Sequence, residues 1–263
     1  MIEIFNAVSN IAKRVKLEVL DASSELIDQH SDDINKHCEM IIEKEFEWVR
    51  SVKGIIGKDK KQYCLSHPKG KYFVTFVAID NTDLMQFNYS IGTIFGVYEN
   101  ELDVQHLKAA IYIAYGPTVQ IVYASKNERV KLFTMEHNEF IQKDELELKE
   151  KGKINSCSGN AANWSDEHKA KIEAFFANGY RLRMSDSLAL DAHQILLKGG
   201  GIFSNPESHF EHLFEAFPIS FIITLAGGKA TDGKNNMLSV ETFDLHSKTP
   251  LYFGSIDEMK HFS

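Results

Sequence analysis

The sequence predicts a layered α/β sandwich. An amphipathic helical pattern opens the chain, and aromatic and β-branched segments fill its middle. Helices and strands then alternate irregularly, with no internal repeat and no low-complexity tract. Ile4, Val8, Ile11, Val15 and Val19 recur at helical spacing and predict a helix over 3–20, and a second charged helix is predicted over 31–48. Tyr72–Val77 reads as a buried strand, followed by strands at Ile91–Tyr98, Lys108–Tyr115 and Val119–Ala124, the last two joined at Gly116-Pro117. Residues 142–153 are charged and turn-prone and mark a soft boundary, giving halves 1–150 and 151–263 of one two-lobed unit. The second half opens as a polar loop over 152–164. Helices are predicted over 165–177, over 186–197 with Ser185 or Asp186 as cap, and over 208–226 up to Gly227-Gly228.

Composition narrows the function classes. The 263 residues are 43% hydrophobic and 25% charged, the proportions of a globular protein. Against 37 acidic residues stand 29 lysines and arginines, a net charge of −8 that argues against non-specific nucleic-acid binding. Three widely separated cysteines, Cys38, Cys64 and Cys157, fit free thiols in a reducing compartment. The N-terminus lacks a basic start and a long apolar run, and the apolar stretches near 73–79 and 217–225 are too short for a bilayer. A cytoplasmic protein without membrane contact is expected.

Specificity enters with four ordered segments. They are Gly70–Asp80 continuing to Ser90–Tyr98; Tyr180–Arg183 with Asp191–Phe203; Leu213–Pro218; and Ala226–Ala230, with Pro250–Ser255 closing the set. Together they resemble class I fructose-1,6-bisphosphatases, most closely in texture the bacterial members, over about residues 3–258. The resemblance implies the αβαβα sandwich of the sugar phosphatases, two or three Mg²⁺ ions held by carboxylates, and a water directed at a sugar phosphate. It also implies a homo-oligomer, dimer or tetramer.

Residue by residue, the resemblance exposes losses. The family's Asp-Pro-(Leu/Ile)-Asp-Gly-Ser-Ser signature falls on Val77–Asp83, so Val77 replaces the first ligand and Asp80 keeps the second. Asn81 and Thr82 stand where small residues receive the phosphate. The Ser-Glu-Glu loop falls on Gly57-Lys58-Asp59: Lys58 either fills the place of a cation or lies solvated on a shifted loop, and Asp59 is a conservative trace. A helical aspartate falls on Asn35, while Glu215 is retained. At the sugar-phosphate side, Ser158, Met184, Asn205 and His209 occupy positions that are mostly substituted. Arg183 matches an arginine that reaches a partner's phosphate, and Asp186 adds a repelling carboxylate. Asp80 and Glu215 also read as a turn residue and a helix-start carboxylate, and His193 as a hydrogen-bonded core histidine. Lys71 and Tyr72 resemble adenylate contacts, but the loop completing that pocket is absent, so AMP control is not expected.

These losses predict a catalytically impaired, pseudoenzyme-like member, with weakened or no Mg²⁺ binding, that serves as an assembly or regulatory subunit, alone or with an active paralogue. The alternative is a phosphatase of sugar or inositol phosphates with altered metal use. A third reading is a sensor binding a sugar phosphate or other anion at Arg183.

Overall fold

A computed structural model describes residues 1–21, 24–242 and 244–262; for residue 21 and residues 24–31 it describes the backbone alone. Helices α1 (Ile2–Asp21) and α2 (Ser24–Phe46) pack on one face of an eight-stranded sheet. Its strands are β1 (Val52–Gly57), β2 (Cys64–Leu65), β3 (Tyr72–Asp80), β4 (Ile91–Glu99), β5 (Leu107–Tyr115), β6 (Val119–Ser125), β7 (Val130–Glu136) and β8 (Glu139–Leu146), in spatial order 2-1-3-4-5-6-7-8. Only β1 and β3 run parallel; the other pairs are antiparallel. A four-residue helix, α3 (Asp83–Gln86), follows β3.

A second sheet, in order 10-9-11-13-12, is built from β9 (Ile154–Cys157), β10 (Arg181–Leu182), β11 (Ile202–Glu211), β12 (Lys229–Thr231) and β13 (Lys248–Gly254). Between the sheets lie α5 (Leu188–Leu197) and α6 (Phe217–Leu225); on the outer face lie α4 (Asp166–Ala177) and the short α7 (Ile256–Met259). The result is the expected αβαβα layering. Strand alternation produces it: Val74, Phe76 and Ala78 meet α1 and α2, while Phe73 and Val77 join the core shared with α5, α6 and the second sheet. Among the described residues no helix is long and apolar enough to cross a membrane, and Cys38, Cys64 and Cys157 are free thiols.

Four expectations need correction. The α5 cap is Ser187, whose hydroxyl accepts from the Leu190 N–H, not Ser185 or Asp186; Asp186 instead has φ +61°. Residues 208–211 continue β11, and a turn of π-helix at His212–Ala216 intervenes before α6, so the predicted helix over 208–226 is half its length. The predicted loop over 152–164 contains β9, whose Asn155 and Ser156 are fully buried; polar residues in an interior strand give no alternating signal. Helix α2 also begins at Ser24, seven residues before the predicted start.

The π turn is held from the first sheet. Thr75 Oγ1 on β3 and Tyr98 Oη on β4 both donate to the Leu213 carbonyl, at 2.8 and 2.7 Å. Both side chains are fully buried, so this carbonyl has its needs met without water. Thr75→Val and Tyr98→Phe are each expected to cost about 1 kcal/mol in urea unfolding, because the other donor remains. The double variant, which strips the carbonyl, is expected to cost more than the two together.

Candidate active-site cleft

Parallel pairing of β1 with β3 brings their C-terminal ends to one edge, with Gly57 in register with Phe76. The Lys58 N–H extends the ladder by donating to the Phe76 carbonyl at 2.9 Å, which sets Lys58 beside Val77. The loop is therefore not displaced outward. The Lys58 ammonium donates to Glu215 Oε1 at 2.7 Å, and the Glu215 side chain is only 4% exposed. Burial works against the ammonium, but Glu215, Asp80 and Glu211 outweigh it and hold the Lys58 pKa above the usual lysine value. The second Glu215 oxygen accepts from the Glu211 N–H at 2.9 Å, and the Glu211 carboxylate meets His246 Nδ1 at 2.9 Å. His246 Nε2 reaches the Lys60 carbonyl at 2.9 Å, tying the loop that carries Lys58 to the second half of the chain.

Asp80 is aimed inward by a bulge. The β3–β4 register shifts between Val77 and Asp80, so Asp80 leaves the face of Val74, Phe76 and Ala78 and turns toward α5. Its Oδ2 accepts from the Ser187 hydroxyl at 2.7 Å and the Ala189 N–H at 2.8 Å. Gly92, paired with Asp80, permits this approach: a Cβ there would lie 2.7 Å from that of Ala189. Burial pushes the Asp80 pKa up to about 6, and Glu215 adds to the rise. Next in the chain, Asn81 has φ +67° and its side-chain amide donates to both the Asp186 carbonyl, at 3.0 Å, and the Asp186 carboxylate, at 2.9 Å. Both residues thus hold left-handed backbone that favours glycine, and their side chains clasp across the cleft.

The cleft, about 330 Å³, gathers Lys58, Asp80, Asn81, Ser158, His209 and Glu215. It adds residues that sequence reasoning did not single out as site groups: Asp191, Leu188, Phe203 and Phe210. Asp191 accepts from Ser185 N and Oγ, both at 2.8 Å, and burial pushes its pKa up to about 7. Asp59 and Thr82 line an adjoining cleft of about 260 Å³ instead, alongside Asn35, whose amide oxygen accepts from the Ile79 N–H at 3.2 Å. Asn205 is buried behind Ser158, at 3.4 Å. Arg183 and Met184 are exposed outside both clefts. His193, between Tyr112 Oη and Gln120 Oε1, is the core histidine expected, its pKa lowered to about 4 by burial. Ser187 and the Asn81–Asp186 clasp carry no sequence periodicity; only the three-dimensional approach of α5 to β3 reveals them.

A divalent ion does not fit this donor set. Mg²⁺ requires near-octahedral oxygen ligands. Both Glu215 oxygens are engaged, by an ammonium and a backbone N–H, and Asp80 Oδ2 takes two donors. The Val77 side chain offers no oxygen. Among the described residues, the group of three acidic or imidazole donors close enough to share a metal is Glu101, Asp103 and His106, which follows the far end of β4.

Two sheets separated by helices, with a polar cleft at the C-terminal edge of β1 and β3, define a sugar-phosphatase architecture. The pattern described as Fructose-1-6-bisphosphatase, C-terminal domain matches residues 148–263. The chain is 34% identical to a class 1 fructose-1,6-bisphosphatase of Campylobacter hominis, covering 99% of this chain and 98% of that protein. It is 41% identical to the Helicobacter hepaticus counterpart over 79% of this chain and 76% of that one. Its fold superposes on the holo form of Leishmania major fructose-1,6-bisphosphatase with a TM-score of 0.91 and 24% identity, covering 98% of this chain and 91% of that one. The chain belongs to the class 1 fructose-1,6-bisphosphatase family.

Two outcomes are expected from the cleft's electrostatics. Lys58→Ala leaves Glu215 buried beside Asp80 without its counter-charge and is expected to cost roughly 2–4 kcal/mol in chemical denaturation. The carboxyl groups of Asp80 and Asp191 titrate higher in the folded chain than the ordinary 3.8, so the folded state holds more protons between about pH 4 and 7. Their contribution to stability is therefore full below pH 4 and lost as pH rises through 6 and 7, by at most about 1.4 kcal/mol per pH unit for each group. Asp191→Asn is expected to flatten this decline and to raise stability above pH 7, measured by urea unfolding across the pH series.

Proposed function

We propose that this family member has given up Mg²⁺-dependent hydrolysis and serves as an assembly or regulatory subunit, either self-associating or joined to an active paralogue. The observation that carries the reading is the 2.7 Å pair between Lys58 and Glu215. By the resemblance, Lys58 and Val77 replace two anionic ligands and stand side by side on the parallel ladder. Together the changes remove two negative charges and add a positive one where the family binds a cation. A fixed ammonium neutralises Glu215 but does not activate a water as a divalent ion does. The cleft's remaining carboxylates, Asp80, Asp186 and Asp191, repel a phosphate that no metal bridges.

Phosphate release from fructose 1,6-bisphosphate with Mg²⁺ is expected to lie at least about 10³-fold below that of a metal-holding relative, since loss of a metal removes several kcal/mol of transition-state stabilisation. Millimolar Mg²⁺ is expected to leave the melting temperature of the native chain unchanged and to raise that of a Lys58→Glu, Val77→Asp double variant. Turnover comparable to a relative, lost on Asp80→Asn, would overturn the proposal.

A second reading, an active phosphatase with altered metal use, is favoured by similarity along nearly the whole chain to proteins that carry the fructose-1,6-bisphosphatase name. In that reading Lys58 swings away and Asp80, Asp59 and Glu215 take one ion. A panel of sugar and inositol phosphates assayed with Mg²⁺, Mn²⁺ and Zn²⁺ separates the two, because only this reading expects release.

A further inference from the structure

The molecule's concentration of unpaired positive charge lies away from the cleft described above. Beyond the edge strand β10, a concavity of about 630 Å³ is lined by Lys149, Lys151, Lys153, Arg181, Arg183 and Lys198, with no carboxylate in its wall. Among the described residues, none of these six is within ion-pair distance of an acidic side chain; Lys151 acts on Asp257 only from longer range. Elsewhere on the surface, cations such as Lys13, Arg14, Lys71 and Lys131 do pair with carboxylates. In a chain of net charge −8, six like charges gathered in one hollow are mutually repulsive, and an anion relieves the repulsion.

The topology assembles them from three segments. The Arg181 N–H donates to the Lys153 carbonyl at 2.8 Å, and the Arg183 N–H to that of Asn155 at 3.0 Å, so the arginines alternate along the edge beside Lys153. The Lys149 N–H donates to the Gly199 carbonyl at 2.9 Å, which draws Lys198 at the end of α5 alongside. The floor is nearly free of side chains: Gly152 and Gly200 pack so closely that a Cβ on Gly152 would lie 2.0 Å from the Gly200 backbone, and a Cβ on Gly179 would meet nothing within 4 Å. A bare floor ringed by long flexible cations admits a compact anion of high charge. One phosphate engages only two or three such groups, and the ring requires more charge than that.

We propose that this hollow binds a small anion carrying two or more linked phosphate groups. Binding here depends neither on the Lys58 cleft nor on a metal. Inorganic phosphate, pyrophosphate and tripolyphosphate, titrated calorimetrically into the full chain in metal-free buffer, are expected to bind with affinity rising at least tenfold across the series and falling steeply with added salt. Lys153→Glu with Lys198→Glu is expected to weaken tripolyphosphate at least tenfold. Lys131→Glu with Lys143→Glu, an equal change of net charge on β7 and β8, is expected to leave it within twofold. Failure of tripolyphosphate to bind at low salt, or equal weakening by the two double variants, overturns the proposal. So does a change of sedimentation coefficient in the Lys153, Lys198 variant with tripolyphosphate affinity unchanged, which would make the hollow a contact between copies of the chain.

Discussion

An ammonium anchored between buried carboxylates sets the terms for the cleft. Without a positive charge beside them, Glu215 and Asp80 would face one another in a site screened from solvent, at a cost of several kcal/mol. Here the Lys58 side chain meets this constraint from within the chain itself, through its ion pair with Glu215. The backbone makes the solution exact enough to matter, because the Lys58 N–H is itself fixed by the parallel ladder. His246, bridging Glu211 and the Lys60 carbonyl, fastens the same loop from the other side. The charge balance of the site and the attachment of the two halves of the chain are therefore one arrangement.

Around this pair, the cleft is shaped by the end of β3 and the start of α5. The bulge at the end of β3 still turns Asp80 inward, and α5 still presents its N-terminus. What Asp80 receives is a hydroxyl and a backbone N–H, groups that position a helix. Through its Oδ2 alone, the Asp80 carboxylate fastens the end of β3 to the first turn of α5.

Much of the layering was legible in the sequence. The 3.6-residue rhythm of Ile4, Val8, Ile11 and Val15 marks α1, and the aromatic and β-branched run at 72–77 marks β3, because burial dictates both patterns. Strand β9 was illegible because Asn155 and Ser156 are polar in an interior position, and the end of β11 was hidden because Glu207, Ser208, His209 and Glu211 leave Phe210 as its sole large apolar side chain. At the site, Lys58, Val77, Asp80 and Glu215 were readable as departures from, or survivors of, a family pattern. The Asn81–Asp186 clasp and the Ser187 anchor were not, since each joins segments about a hundred residues apart. The basic hollow escaped notice for another reason: Lys149, Lys151 and Lys153 look like a solvated linker until Arg181, Arg183 and Lys198 are brought beside them.

The clasp between Asn81 and Asp186 also bears on how this chain can change. Each side chain occupies a left-handed position and supplies the other's hydrogen-bond partner. A glycine at Asn81 gives up both hydrogen bonds but relieves the left-handed backbone, and the exposed Asp186 carboxylate then turns to water, so the clasp can be dissolved one residue at a time.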